Sequence, residues 1–159
     1  MINAPKPIEG LEESLGYTFK NKELIKIALT HSSYSNEMRA KGEKIPFNER
    51  LEFLGDSVLS IVVSSYIFEK YRSKQEGDLT KIRAAVVCEK ALAKYSAKIS
   101  LGSYMYLGHG EDMNNGRNRP SITADAFEAV LAAMYIDTGD TFDEVRRFLL
   151  PFVAEEVKA

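Results

Sequence analysis

From Asn48 to Tyr71 the chain runs without a proline or a turn signal, and its apolar residues cover most of the circumference of the helix it would form. Leu51, Leu54, Val58, Leu59, Ile61, Val62, Ile67 and Phe68 make up that surface. The run VLSIVV has strand propensity, but the length of the uninterrupted pattern favours a helix, with Asn48 as its cap. A helix that is apolar nearly all round belongs at the centre of a fold. This one nevertheless carries Glu52 and Asp56, spaced i and i+4 and therefore stacked on one face. No lysine or arginine lies between 51 and 69 to pair with them.

The remaining segments read as helices around that centre. Asn21 is placed to cap KELIKIALT, and residues 35–46, polar and mixed in charge, read as a loop. Asp78 or Thr80 starts a second long helix over roughly 79–98, with Leu79, Ile82, Ala85, Val86, Leu92 and Tyr95 as its apolar set. Residues 108–120 form a turn-rich loop with an Asn-Gly pair. Thr123 caps a third apolar helix that runs to about Ile136, Thr138-Gly139-Asp140 breaks it, and Thr141 or Asp143 starts an amphipathic C-terminal helix. Prolines at 5, 7, 46, 120 and 151 bound these segments. The expected architecture is all-α, a compact single helical domain over residues 1–159.

A second acidic pair, Asp125 and Glu128 in TADAFEAVLAAMY, sits at i and i+3 on the third helix, again among small and apolar residues. An ionised carboxylate in apolar surroundings costs several kcal/mol unless it is paired or bound to metal. Each pair could instead face solvent, although few other charges share those faces to make a solvated stripe. If the two helices pack together, the four carboxylates cannot all stay ionised without cations. Hard divalent ions with oxygen ligands, such as magnesium, suit that donor set. Two such ions about 3.5–4 Å apart serve phosphodiester hydrolysis.

Other candidates carry less. His31 has no second histidine at metal spacing and reads as a hydrogen-bonded structural residue, while His109, beside Glu111 and Asp112, reads as solvated. Cys88, the single cysteine, lies in an apolar stretch and reads as core; without a partner it excludes an internal disulfide and fits a reducing, cytoplasmic setting. There is no phosphate-binding glycine loop and no GxSxG. The N-terminus lacks a signal-peptide pattern, and the run VLSIVVSSYIF is too short to span a membrane. A net charge of −2 argues, taken alone, against a nucleic-acid binder.

The stretch NERLEFLGDSVL at 48–59 resembles the signature of bacterial ribonuclease III. ALTHSSY at 28–34, EGDLTKIRAAVV at 76–87 and SITADAFEAVLAAMYID at 121–137 follow in the family's order and at about its spacing, so the resemblance covers nearly the whole chain. It implies that Glu52, Asp56, Asp125 and Glu128 coordinate magnesium, two ions per site with manganese as a possible substitute, and that Asp56 and Glu128 act in catalysis. The implied reaction is metal-dependent hydrolysis of double-stranded RNA to 5′-phosphate and 3′-hydroxyl ends with a short 3′ overhang, in the processing of structured precursors such as ribosomal RNA. The implied assembly is a homodimer, with Phe53 packing into the partner subunit; a place in the chain's own core is the alternative for that residue. Glu49 and Glu76 match further acidic positions that orient ligands or contact substrate. Lys44, Arg117 and Arg119 are candidate phosphate contacts, with solvated loop charges as the alternative. The family ordinarily continues into a double-stranded-RNA-binding domain, which this chain does not contain, so tolerance of the acidic balance is expected of a catalytic domain. The alternative function is a non-catalytic RNA-binding or scaffolding dimer with the same fold. Such a protein would be expected to lose acidic ligands, and all four are present.

Overall fold

Two helices form the axis of the structure, a computed structural model that describes residues 4–158. They are α4, Glu49–Lys70, and α8, Pro120–Asp137, and they pack along each other. Before them come α1 (Ile8–Leu15), α2 (Lys22–Ala28) and α3 (Ser32–Ala40); between them α5 (Glu76–Val87), α6 (Glu89–Lys98) and the short α7 (His109–Met113); after them α9 (Asp143–Lys158). Among the described residues there is no strand, only one parallel bridge between Thr30 and Tyr106. The all-α expectation holds.

Helix α8 is buried on almost every side because its inward residues are small: Ala124, Ala126, Ala129, Ala132 and Ala133 are all within the core, beside Phe127, Val130, Leu131 and Met134. Small side chains let α2, α6 and α9 pack on it as well as α4. Phe127 meets Tyr95 of α6 and Phe148 of α9 at ring separations of 5.8 and 5.9 Å. The tightest approach is between α4 and α8. A Cβ added at Gly55 would lie 1.8 Å from the carbonyl oxygen of Glu128, so only glycine admits this helix spacing. That contact brings the two acidic segments face to face.

The structure revises several boundaries. Residues 35–40 of the expected loop belong to helix α3 (Ser32–Ala40), started by His31, whose ring accepts from the Ser33 amide. It has no continuous apolar stripe and is held by polar ties: Ser35 is buried with its hydroxyl donating to the Ile45 carbonyl, and Tyr34 packs on Tyr106. The expected helix over 79–98 is two helices, parted at Cys88, which is extended (φ −67°, ψ 163°). It starts at Glu76, ahead of Asp78 and Thr80. The break turns α6 onto α8, where Ala91, Leu92, Tyr95 and Ser96 are buried, and it leaves Cys88 exposed rather than in the core.

Asn21 caps α2 as expected, accepting from the Glu23 amide at 3.1 Å. Asn48 does not cap α4 with its side chain; it is buried and donates to the Ala28 carbonyl. Thr123 lies inside α8, its hydroxyl donating back to the Arg119 carbonyl, and the helix opens on Pro120, where the missing N–H has no helical partner to lose. Within 108–120 the chain makes α7 and a 3₁₀ turn at Gly116–Asn118. Pro151 does not bound a segment. It sits inside α9, where its ring leaves the Arg147 carbonyl without an i+4 amide.

By length and composition α4, with 22 residues, is long and apolar enough to cross a membrane, which the shorter run read from sequence did not suggest. Here it is packed against α8, with Leu51, Val58, Leu59, Val62, Val63 and Ile67 in the core. Its outer face is not buried: Phe53 is 80% exposed, Phe68 66% and Ile61 49%.

Candidate metal centre

The four carboxylates come from two turns of α4 and two of α8, on either side of the Gly55 contact. One carboxylate oxygen each from Glu52, Asp125 and Glu128 lie within 4.8 Å of one another. Asp56 joins them through Glu128. The links run across the helices in both directions: the Glu52 carboxyl is hydrogen-bonded to Asp125, and that of Glu128 to Asp56. A surface pocket of about 390 Å³ opens over them, lined by Glu49, Glu52, Phe53, Asp56, Ser57 and Glu128.

Burial sets the electrostatics. Glu128 is 9% exposed, and desolvation first, then the hydrogen bond and charge of Asp56, push its carboxyl up to about 8 from an ordinary 4.5. Glu52 is also raised, chiefly by burial and then by Asp125, Asp56 and Glu49. Asp125 is raised by burial against the opposing effects of the Glu52 hydrogen bond and of His31, with Glu89 adding repulsion. Without cations, then, Glu128 keeps its proton near neutral pH, and burial opposes ionisation of Glu52 and Asp125. The donor set is oxygen only, convergent and partly desolvated, which fits hard divalent cations in place of protons. Glu52, Asp125 and Glu128 would be the direct holders, with Asp56 beside Glu128 at the pocket wall.

The other candidates divide. Glu49 is exposed but lines the pocket. Glu76 is exposed at the start of α5, accepting from the Thr80 hydroxyl, and does not line it. Lys44 is exposed in the segment before α4. Arg117 is engaged in the fold: its guanidinium pairs with Asp112 at 3.0 Å and donates to the carbonyls of Gly102 and Met105 at 3.0 and 2.6 Å. Arg119 is about half exposed and meets Glu111 at 3.2 Å. Phe53 stands at the pocket rim and is mostly exposed.

Two neighbours of the cluster were not singled out as site residues from sequence. Gly55 sets the helix spacing; a glycine inside an otherwise strong helix was the available signal. His31 was read as structural, and it does cap α3, but it also lies within electrostatic reach of Asp125, Glu111 and Arg119. No spacing rule links position 31 to position 125.

The fold and the cluster together define a helical domain with a carboxylate centre of the kind that binds hard divalent cations. A sequence-family model described as Ribonuclease-III-like matches residues 21–156, and the chain belongs to that family. It is 47% identical over 151 residues to Ribonuclease 3 of Listeria monocytogenes, covering 95% of this chain and 64% of that protein. With Ribonuclease 3 of Caldanaerobacter subterraneus it shares 50% identity over 145 residues, covering 91% of this chain and 61% of the relative. The chain thus spans somewhat more than three fifths of the length of these curated relatives. The nuclease domain of Ribonuclease III from Campylobacter jejuni, described as flexible in a region involved in dimer formation, superposes with a TM-score of 0.85 at 40% identity, covering 96% of this chain and all of that one.

Proposed function

We propose that this chain is the nuclease domain of a double-stranded-RNA endoribonuclease that works as a homodimer. The observation that carries the reading is the convergence of Glu52, Asp125 and Glu128 within 4.8 Å, with Asp56 bonded to Glu128, under an open surface pocket. The identity of the relatives supports RNA as substrate. Magnesium is the natural cation for this oxygen-only set, two ions per site, with manganese able to replace it. When bound, such ions supply charge neutralisation and Lewis acidity for phosphodiester hydrolysis.

The protein's own part is to hold the donors still. Glu128 is fixed by burial and oriented by Asp56; Glu52 and Asp125 face each other from opposite helices. Glu49, on the same pocket wall, orients ligands or meets substrate, and Glu76 contacts substrate away from the pocket. Lys44 and Arg119, both on exposed segments, are the phosphate contacts favoured here; Arg117 braces the loop that carries Arg119. The products are 5′-phosphate and 3′-hydroxyl ends with a short 3′ overhang, from structured cytoplasmic precursors such as ribosomal RNA. The exposed Phe53, beside an apolar groove of about 740 Å³ lined by Leu24, Ile27, Phe47, Leu51 and Ile136 among others, supports a second copy as the partner of this face.

Incubation with a long RNA duplex at low salt tests the reading. Cleavage is expected with magnesium and is abolished by chelator. An intact duplex at high protein concentration with magnesium present overturns it.

A further inference from the structure

His31 is held more firmly than a helix cap needs. Its backbone amide donates to the Tyr106 carbonyl at 3.0 Å. The carbonyl of its neighbour Thr30 accepts from the Asn48 amide at 3.0 Å, one turn before Glu52, whose own amide bonds to the Asn48 carbonyl at 2.8 Å. The backbone that carries the imidazole is therefore fastened to the start of α4. On the ring, Nδ1 accepts from the Ser33 amide at 3.1 Å and lies 2.8 Å from the Ser33 hydroxyl. That hydroxyl oxygen also accepts from the Gly108 amide at 2.9 Å, so it can give its proton to an Nδ1 whose lone pair the Ser33 amide already requires.

The amide donor on Nδ1 fixes the tautomer: the ring proton sits on Nε2. The same geometry opposes a proton on Nδ1, so the ring is a neutral donor. Nε2 itself meets no hydrogen-bond acceptor among the described residues, and no buried side-chain nitrogen or oxygen there lacks a partner. Nε2 therefore opens to solvent. The ring as a whole lies within electrostatic reach of Asp125, Glu111 and the exposed Arg119.

We infer that His31 is a substrate contact, donating from Nε2–H to a phosphate oxygen of the RNA strand seated at the Asp125 side of the cluster. This rests on the function proposed above. A neutral, pre-oriented donor near Asp125 would repel no cation and would need no reorganisation when the phosphate arrives. Nor would it compete as a metal ligand, because its lone pair is committed to Ser33.

The test separates capping from donation. In His31→Asn the side-chain oxygen still caps the Ser33 amide, and in His31→Ser a hydroxyl does so; neither has a donor at the Nε2 position. Steady-state cleavage of a duplex, thermal unfolding and binding of manganese alone are compared with the wild-type chain. For His31→Asn, or for His31→Ser if the first variant unfolds early, a rise in KM giving about a tenfold loss of kcat/KM is expected, from one hydrogen bond to a charged oxygen. Unfolding temperature and manganese affinity stay at wild-type values. Wild-type kcat/KM in a folded variant overturns the inference and leaves the nuclease reading standing. A loss that follows the unfolding temperature or the manganese affinity also overturns it. If the wild-type chain itself leaves the duplex intact, the nuclease reading falls, and this inference with it.

Discussion

The carboxyl of Glu128 concentrates the conflict in this molecule. It is covered by the core, faces three other carboxylates, and is pushed up to about 8. Its folded value lies above the ordinary 4.5, so the metal-free folded state binds the proton more tightly than the unfolded chain does. Stability contributed by this group is complete below the unfolded value and is lost as pH rises through the folded one. Unfolding monitored in chelator should therefore show a melting temperature that falls between about pH 5 and about pH 8. Glu128→Gln should flatten that fall and raise the metal-free melting temperature at alkaline pH by roughly 2–8 °C, an effect of about 1–2 kcal/mol. The same variant should lose cleavage of RNA duplexes while staying folded. A melting curve as pH-sensitive as wild type would refute the burial argument. The identity of the four residues was legible in the sequence because charge stands out in apolar helices. Their cross-helix pairing, Glu52 with Asp125 and Asp56 with Glu128, was not, since it depends on how the helices pass each other.

At the scale of elements, sequence periodicity was informative where one face is apolar and silent where polar contacts do the holding. Helices α4, α8 and α9 were foreseen to within a few residues, because their apolar residues dominate. Helix α3 was hidden, since its ties are His31, Ser33 and Ser35 rather than a stripe. The break at Cys88 was hidden for the opposite reason: Val86, Leu92 and Tyr95 are apolar on both sides of it, and Tyr95 donates back to the Val86 carbonyl at 2.8 Å. The α4–α8 spacing depends on Gly55. A methyl group there would meet the Glu128 backbone at 1.8 Å, and backbone cannot rotate away as a side chain would. The helices must separate, which pulls Glu52 and Asp56 from Asp125 and Glu128. Gly55→Ala is expected to cost about 3 kcal/mol or more in chemical denaturation and to weaken manganese binding in parallel, despite alanine's better helix propensity. An unchanged denaturation midpoint would mean that the helices can slip past the contact.

For the whole molecule, the outer face of α4 poses the question of what covers it. Phe53, Ile61 and Phe68 are large, apolar and exposed along one helix, whereas the buried side of that helix is already satisfied by α8. The sequence read this helix as central and buried all round. The single chain buries only part of it, and the remainder is consistent with an interface between copies. Phe53 also borders the acidic pocket, so a partner seated there would form part of the wall of the site. In a two-fold interface each copy contributes the same residue, and one substitution acts twice. Burying a phenylalanine contributes about 1.5–3 kcal/mol, so losing two amounts to roughly 3–6 kcal/mol. Phe53→Ala should thus raise the dimer dissociation constant at least about a hundredfold in sedimentation equilibrium. At protein concentrations low enough for wild type to be monomeric, the two should unfold at nearly the same temperature, because an exposed ring contributes little to its own fold. Cleavage by the variant should become second order in protein at concentrations where wild type is already dimeric. An unchanged sedimentation profile down to nanomolar protein would exclude this face as the interface.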